Sequence, residues 1–252
     1  MKSGKICQDF SAAYHDEERT IVTACDGHGG SMYIRSHLGS KFASDAVMQI
    51  FWKLNLGDFS RYGEEEIAEK LRLQILCAWN GMVEQNYSEN PVRRKECGHL
   101  PEKEIIQLKL NAAKAYGTTL NGAMVLGEKA VCASLGDGGI FFLCDGEIIP
   151  VFPESGEEET VANITWSMCQ EDAYRHLRTA VFDFSKTDGI LLCTDGVINP
   201  YRNLKNFNES FAQPVSKLAR EGRFAEIEDF VNKLGTQIGI GDDVSLGLIL
   251  KR

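Results

Sequence analysis

The sequence lacks long apolar runs, a basic stripe and paired cysteines, and each absence excludes a class of protein. No apolar stretch approaches the ~18 residues that a membrane span needs, and the N-terminus has no apolar core of a secretory signal. Asp and Glu outnumber Lys and Arg by 36 to 27, giving a formal net charge of −9. Nucleic-acid binders usually carry a basic patch, so the sequence predicts neither a nucleic-acid nor a membrane partner.

The eight cysteines form no C-x-x-C pair, which weighs against a structural zinc site. Several lie in apolar runs, such as Cys193 in ILLC, where cysteine behaves as a small hydrophobic residue. We therefore expect reduced, buried cysteines and a cytoplasmic location. With 252 residues, 43% of them hydrophobic, the chain can bury a large core. We expect one domain over residues 1–252, acting as a monomer.

The hydrophobic periodicity alternates between helix-like and strand-like segments. Apolar stripes at helical spacing predict helices over 31–51, 64–87 and 103–115, with two short amphipathic helices between 195 and 243. Short apolar runs bounded by turn residues predict strands at 21–25, 118–126, 130–135, 140–144, 147–152, 179–184, 189–194 and 244–250. The strands between 118 and 152 have short connections, which predict one antiparallel meander. Together these elements indicate an α+β fold, with sheet packed on sheet and helices outside.

Five Asp-Gly dipeptides occur in the chain, and the usual structure of such a pair is a tight turn. Asp145 and Asp188 fit that interpretation. Asp26, Asp137 and Asp195 differ, because each directly follows a buried apolar strand. Carboxylates at the ends of neighbouring strands can converge, and clustered anions repel one another unless a cation lies between them. Ligand sets made only of oxygen atoms select hard ions such as Mg²⁺ or Mn²⁺.

Two further acidic positions fit this pattern. Asp9 lies in Cys-Gln-Asp-Phe near the N-terminus, and Asp242 and Asp243 lie just before the last predicted strand. Adjacent carboxylates beside a buried strand are costly if they are unpaired. A simple turn at Asp242 remains an alternative.

Six short motifs carry a resemblance to a known family. They are CQD at 7–9, DGHGG at 26–30, YGTTL at 116–120, GDG at 136–138, TDG at 194–196 and GDDVS at 241–245. In this order the motifs resemble the metal-dependent protein phosphatases of the 2C type, particularly their compact bacterial branch. DGHGG after a strand is quite specific, whereas TDG or GDD alone would be weak.

The resemblance implies a four-layer α-β-β-α sandwich, in which two antiparallel sheets are flanked by helix pairs and hold a binuclear Mn²⁺ or Mg²⁺ centre at one end. It also implies the metal ligands. Asp26 would bridge the ions and the Gly27 carbonyl would bind one of them. Asp195 and Asp242 would complete the pair, Asp9 would act directly or through water, and Asp137 would join Asp195 at a weaker third metal.

The implied reaction is hydrolysis of phosphoserine and phosphothreonine in a protein substrate, with a cognate kinase as a possible partner. Asp26 and His28 are the predicted catalytic residues, with His28 as the proton donor; a structural loop histidine is the alternative. Gly4 stands where the family carries a phosphate-gripping arginine, so Lys5 or Lys2 is predicted to contact the phosphate. The strand that precedes the first motif in the family is expected to be missing. The segment at about 153–180, between the metal motifs, corresponds to the family's flap and does not indicate a substrate.

Two other functions stay open at this point. A catalytically weak relative that binds a phosphoprotein or a regulatory partner would explain the missing arginine. A two-metal nuclease would explain the carboxylates but does not suit an acidic chain.

Overall fold

Two antiparallel β-sheets lie at the centre of the computed structural model, which describes residues 6–153, 165–238 and 242–251. The strands are β1 (Phe10–His15), β2 (Arg19–Cys25), β3 (Leu120–Leu126), β4 (Lys129–Leu135), β5 (Gly139–Cys144), β6 (Glu147–Pro150), β7 (Arg178–Asp183), β8 (Gly189–Cys193) and β9 (Leu246–Leu250). The first sheet has the order β1-β2-β3-β4-β7, and the second has the order β6-β5-β8-β9. Neighbouring strands are antiparallel throughout both sheets.

Helices lie against the outer faces of both sheets. They are α1 (Ser36–Trp52), α2 (Leu56–Arg61), α3 (Glu64–Glu89), α4 (Arg94–Cys97), α5 (Glu102–Leu110), α6 (Ala173–His176), α7 (Asp195–Ile198), α8 (Leu204–Phe207), α9 (Gln213–Arg220) and α10 (Phe224–Lys233). A 3₁₀ turn covers Ala112–Tyr116, and π-helical turns cover Asn208–Ala212 and Leu234–Ile238. None of the described helices is both long and apolar enough to cross a membrane.

Three hydrophobic cores separate four layers of secondary structure. The first core lies between α1, α3 and the first sheet and includes Trp79 and Phe51, both fully buried. The second lies between the two sheets and includes Ile190. The third lies between the second sheet and the C-terminal helices and includes Phe207 and Phe211. Because both faces of each sheet are covered, the central strands are apolar on both sides. The predicted α+β sandwich with two sheets inside flanking helices is confirmed.

The meander predicted for residues 118–152 is wrong. β3 pairs with β4 in the first sheet, whereas β5 pairs with β6 and β8 in the second. The loop at 136–138 therefore carries the chain from one sheet to the other. Gly136 has a φ of 104°, a left-handed conformation that favours glycine. A short glycine-rich loop can form a hairpin within one sheet or connect one sheet to the other, so its sequence does not distinguish the two. In a meander β5 would pair with β4, but here β7 pairs with β4.

Several predicted elements and boundaries need correction. β1 was not predicted, because most of its residues are exposed on a sheet edge and show little apolar pattern. The helix expected over 31–51 begins only at Ser36, and the helix expected over 103–115 ends at Leu110. The short helices α7 and α8 precede the two amphipathic helices, α9 and α10, that were predicted.

The cysteines are free, but three of them are not buried as predicted. Cys7 and Cys77 are exposed, and Cys144 is half-buried. Cys77 lies on the solvent-facing side of α3, because an amphipathic helix turns only one stripe of its residues towards the core.

Candidate metal centre

Asp26 follows β2 directly, and two threonines just before β3 hold its main chain. The Thr118 hydroxyl donates to the Asp26 carbonyl at 2.7 Å, and the Thr119 amide donates to the same oxygen at 2.8 Å. The Asp26 amide donates to the Thr119 hydroxyl at 3.0 Å. Three hydrogen bonds therefore fix the backbone of Asp26 and leave its carboxylate unused by this anchor.

Asp195 is the first residue of α7 and is separated from the buried strand β8 by Thr194 alone. Its carboxylate accepts a hydrogen bond from the Asn199 side chain at 2.8 Å. The next residue is Gly196, where an added Cβ would lie 2.2 Å from the Asp243 carbonyl oxygen. Only glycine allows the 242–245 segment to approach α7 this closely.

Asp137 lies in the loop that joins the two sheets, and it is exposed. The Thr165 hydroxyl donates to its carboxylate at 2.6 Å. Asp26, Asp137 and Asp195 each offer a carboxylate oxygen, and these oxygens all lie within 4.8 Å of one another. The three Asp-Gly pairs that follow strands thus converge on one place, as the strand-end pattern predicted.

Asp9 and the Asp242-Asp243 pair approach the same end of the sandwich. Asp9 is 9% exposed, and one of its carboxylate oxygens, Oδ1, is buried with no hydrogen-bond donor among the described residues. The Asp243 carboxylate accepts a hydrogen bond from the backbone N–H of Gln8 at 2.7 Å, which ties the N-terminal segment to the loop before β9. Asp242 is exposed, and its carboxylate accepts from the Asp243 amide at 3.0 Å.

Burial and mutual repulsion raise the pKa values of three of these carboxyl groups. The pKa of Asp26 is raised by burial first, and then by the charges of Asp9, Asp195 and Asp242. Burial and the charges of Asp137 and Asp242 raise the pKa of Asp195 to about 6. Burial also raises the pKa of Asp9. A cation among these groups would relieve both the repulsion and the cost of burial, so the oxygen ligands present fit hard divalent ions.

Gly27 and His28 form the tight loop beyond Asp26. A Cβ at Gly27 would lie 2.5 Å from the Gln8 carbonyl oxygen and 2.8 Å from that of Ser36. The His28 ring packs edge-on against Tyr33, with 4.9 Å between ring centroids. Burial lowers the pKa of His28, and the charge of Asp137 opposes this only in part. The surroundings therefore favour a neutral imidazole.

Asn121 was not identified by the sequence reasoning, although it connects the strands beneath the carboxylates. It is fully buried in β3, where its side chain donates to the Cys193 carbonyl at 3.3 Å and accepts from the Ser134 hydroxyl at 2.8 Å. A polar residue inside an otherwise apolar strand is the signal that could have found it. The predicted phosphate contacts, Lys2 and Lys5, lie outside the described residues, as do residues 154–164 of the expected flap.

The solved structures that resemble this fold include bacterial phosphatases. A bacterial serine phosphatase is 19% identical, with a TM-score of 0.62 over 100% of this chain and 94% of that one. The serine/threonine phosphatase Stp1 from Staphylococcus aureus is 15% identical, with a TM-score of 0.60 over 100% and 92%. The catalytic domain of the serine threonine protein phosphatase PstP, in complex with two manganese ions, is 15% identical, with a TM-score of 0.58 over 96% and 90%.

At these identities the structural likeness shows the fold alone. A search among curated proteins found no match to the sequence. The family model described as protein phosphatase 2C matches residues 1–232, which is most of the chain. The motif resemblance, the two-sheet sandwich and this match agree, and the chain belongs to the protein phosphatase 2C family.

Proposed function

We propose that this chain is a serine/threonine protein phosphatase that uses two divalent cations, Mn²⁺ or Mg²⁺, with a third held more weakly. The observation that carries the proposal is the convergence of carboxylate oxygens from Asp26, Asp137 and Asp195 within 4.8 Å. Family membership supports the reaction type. The two manganese ions in the PstP structure support the choice of metal.

The proposed ligands are those that the motifs imply. Asp26 and the Gly27 carbonyl would hold the main pair together with Asp195 and Asp242, while Asp137 would serve the third ion. Asp9 would contribute its buried Oδ1, which has no hydrogen-bond donor among the described residues. An unpaired buried carboxylate oxygen is costly, and a cation is the partner that removes the cost.

When bound, the ions supply an acidified water as nucleophile and neutralise charge on the phosphoryl oxygens. The protein's own groups hold the carboxylates in place. The threonine anchors at Thr118 and Thr119 restrain Asp26 before any ligand arrives, so little reorganisation is needed on binding. A role for His28 as proton donor to the leaving alkoxide stays a prediction, and its lowered pKa counts against it.

The proposal also covers five features beyond the reaction itself. They are a single domain over residues 1–252, a phosphate contact at Lys5, a monomeric state, a cytoplasmic location and a partner kinase. The substrate class follows from the proposed reaction and is a phosphorylated protein.

The test compares metal-stripped protein with the same protein after Mn²⁺ or Mg²⁺ is restored. We expect phosphate release from p-nitrophenyl phosphate and from a phosphothreonine peptide only with metal. If folded protein binds Mn²⁺ by calorimetry but releases no phosphate, the phosphatase proposal is wrong and a phosphoprotein-binding role is favoured. Cleavage of DNA in place of the phosphopeptide would favour the nuclease.

A further inference from the structure

The Thr194 hydroxyl lies between the main chain of Ser245 and the carboxylate of Asp9. Thr194 is 1% exposed and is the single residue between β8 and α7. Its Oγ1 accepts a hydrogen bond from the Ser245 amide at 3.0 Å and lies 2.9 Å from Asp9 Oδ2. The Thr194 amide in turn donates to the Ser245 carbonyl at 3.0 Å. Hydrogen bonds therefore fix both the backbone and the side chain of Thr194.

These contacts determine the direction of each hydrogen bond. A backbone N–H can only donate, so Thr194 Oγ1 must accept from Ser245. A hydroxyl has one proton, and the remaining contact is to a carboxylate oxygen, which accepts. The Thr194 proton is therefore committed to Asp9 Oδ2. Hydrogen bonds to an ionised acceptor are stronger than neutral ones, which makes this one well suited to fixing the rotation of the Asp9 side chain.

The two oxygens of Asp9 are consequently different. Oδ2 is occupied by Thr194, whereas Oδ1 is buried and receives no hydrogen bond from the described residues. Asp9 also stands close to Asp26, whose pKa is raised in part by the charge of Asp9. An anionic oxygen left without a donor beside a second carboxylate is arranged for a cation rather than for the protein.

We propose that Thr194 is a positioning residue that turns Asp9 so that Oδ1 faces the metal centre. The proposal rests on the metal centre of the proposed function and adds to it a residue that contacts no metal itself. Asn199 and Thr165 make comparable bonds to Asp195 and Asp137. Those two bonds are exposed, and water can replace them, whereas the Thr194 bond is buried.

The test measures the Kd of Mn²⁺ by isothermal titration calorimetry on metal-stripped protein, without any activity assay. Thr194→Val keeps the shape but removes the hydroxyl, and we expect Mn²⁺ to bind about 10–100-fold more weakly, the usual effect of losing such a supporting group. Thr194→Ser keeps the hydroxyl and should bind within about twofold of wild type. Thr179→Val is the matched control, because Thr179 is also buried and its hydroxyl donates to the Ala68 carbonyl. Thr179 lies in β7, away from the contacts that Thr194 makes with Ser245 and Asp9.

A double-mutant cycle separates action through Asp9 from general damage. Asp9→Asn should itself weaken Mn²⁺ binding, and adding Thr194→Val to it should cause less than about a twofold further loss. Independent, multiplied losses would overturn the proposal. So would wild-type affinity in folded Thr194→Val, or a Thr194→Ser variant as weak as the valine variant.

Two remaining outcomes are also decisive. If wild-type protein binds no Mn²⁺, the proposed metal centre fails, and this inference fails with it. If the wild-type protein binds Mn²⁺ but the Kd values of the Thr194 variants differ from those expected, this inference fails and the proposed metal centre stands. Should the valine variant not fold, Thr194→Ala replaces it against the same serine variant, and equal Kd values for alanine and serine would contradict the proposal.

Discussion

The same Asp-Gly dipeptide serves two purposes in this molecule, and the difference lies in what surrounds each aspartate. Asp145 has a φ of 48° in the tight turn between β5 and β6, and its amide donates to the Asp188 carboxylate at 2.8 Å. The turn interpretation of Asp145 is thereby confirmed. The carboxylates of Asp26, Asp137 and Asp195 instead lie close together. Asp26 and Asp195 follow the strands β2 and β8, and Asp137 lies in the loop that joins the two sheets.

Asp195→Asn should leave the protein folded and nearly abolish phosphatase activity. Asparagine keeps the shape of aspartate and leaves an oxygen for Asn199, but removes the negative charge that would hold the proposed cation. Losing a supporting group of a metal site already costs about 10–100-fold, so loss of a ligand should cost more than about 100-fold in kcat/KM. The measurement is Mn²⁺-dependent hydrolysis of p-nitrophenyl phosphate, with circular dichroism to check folding.

Asp145→Asn is the matched control for that prediction, since asparagine also tolerates the left-handed turn conformation. It should stay within a few-fold of wild type. Asp137→Asn should fall between the two, because it retains the main metal pair. Equal activities for the Asp195 and Asp145 variants would show that the distinction between metal-binding and turn-forming pairs is wrong.

At the scale of elements, tight backbone contacts hold the N-terminal segment, the loop after β2 and α1 together. Gly27→Ala would drive a Cβ to within 2.5 Å of one carbonyl oxygen and 2.8 Å of another. Backbone atoms must then move, and overpacking of this kind costs about 1–3 kcal/mol. We expect a lower Tm together with weaker Mn²⁺ binding, measured by thermal unfolding with and without metal.

Gly29→Ala is the control, because its Cβ would meet only the Gln8 side-chain oxygen at an ordinary 3.7 Å. Its Tm and Mn²⁺ affinity should match wild type. If the two alanine variants behaved alike, close packing around Gly27 would not be what shapes the loop.

Asn121 links the two sheets, and its replacement tests whether that link supports the site. Asn121→Leu removes the amide and leaves the Cys193 carbonyl and the Ser134 hydroxyl without their partner. An unsatisfied buried group costs about 1–3 kcal/mol, so the free energy of unfolding in urea should fall by at least that amount. Asn232→Leu, at an exposed position of α10, should change it by about 0.5 kcal/mol or less. Equal midpoints and slopes for both variants would contradict the linking role.

At the scale of the whole molecule, the metal centre should stabilise the fold. Several carboxylates repel one another at one end of a chain with net charge −9, and a ligand that binds only the folded state stabilises it by mass action. At 100 times its Kd, Mn²⁺ should add about 2.7 kcal/mol, which corresponds to about 5–10 °C in Tm for a chain of this size. Differential scanning fluorimetry with Mn²⁺ and with chelator measures it.

The control for this prediction is Asp195→Asn, which should lose most of the Mn²⁺-dependent shift. An unchanged Tm of the wild-type protein across saturating Mn²⁺ would count against a formed site in this chain.

The sequence by itself determined the types of elements and the motifs that mark the family. Apolar periodicity was enough for α1, α3 and the buried strands β2 and β8, because burial on a regular helix or strand leaves a local record. The position of an aspartate directly after such a strand was equally local. From these the convergence of Asp26, Asp137 and Asp195 could be predicted, while the metal-ligand roles of all the candidate residues remain predictions.

Only the tertiary structure decided which elements meet. The crossing at 136–138 could not be read from its glycines, because β4 pairs with a strand about fifty residues away along the sequence. The bond between Gln8 and Asp243 spans 235 residues, and the one from Thr194 to Asp9 spans 185. Such contacts depend on the packing of two sheets and leave no pattern in neighbouring residues. The polar groups that orient the carboxylates therefore become visible only once the chain is folded.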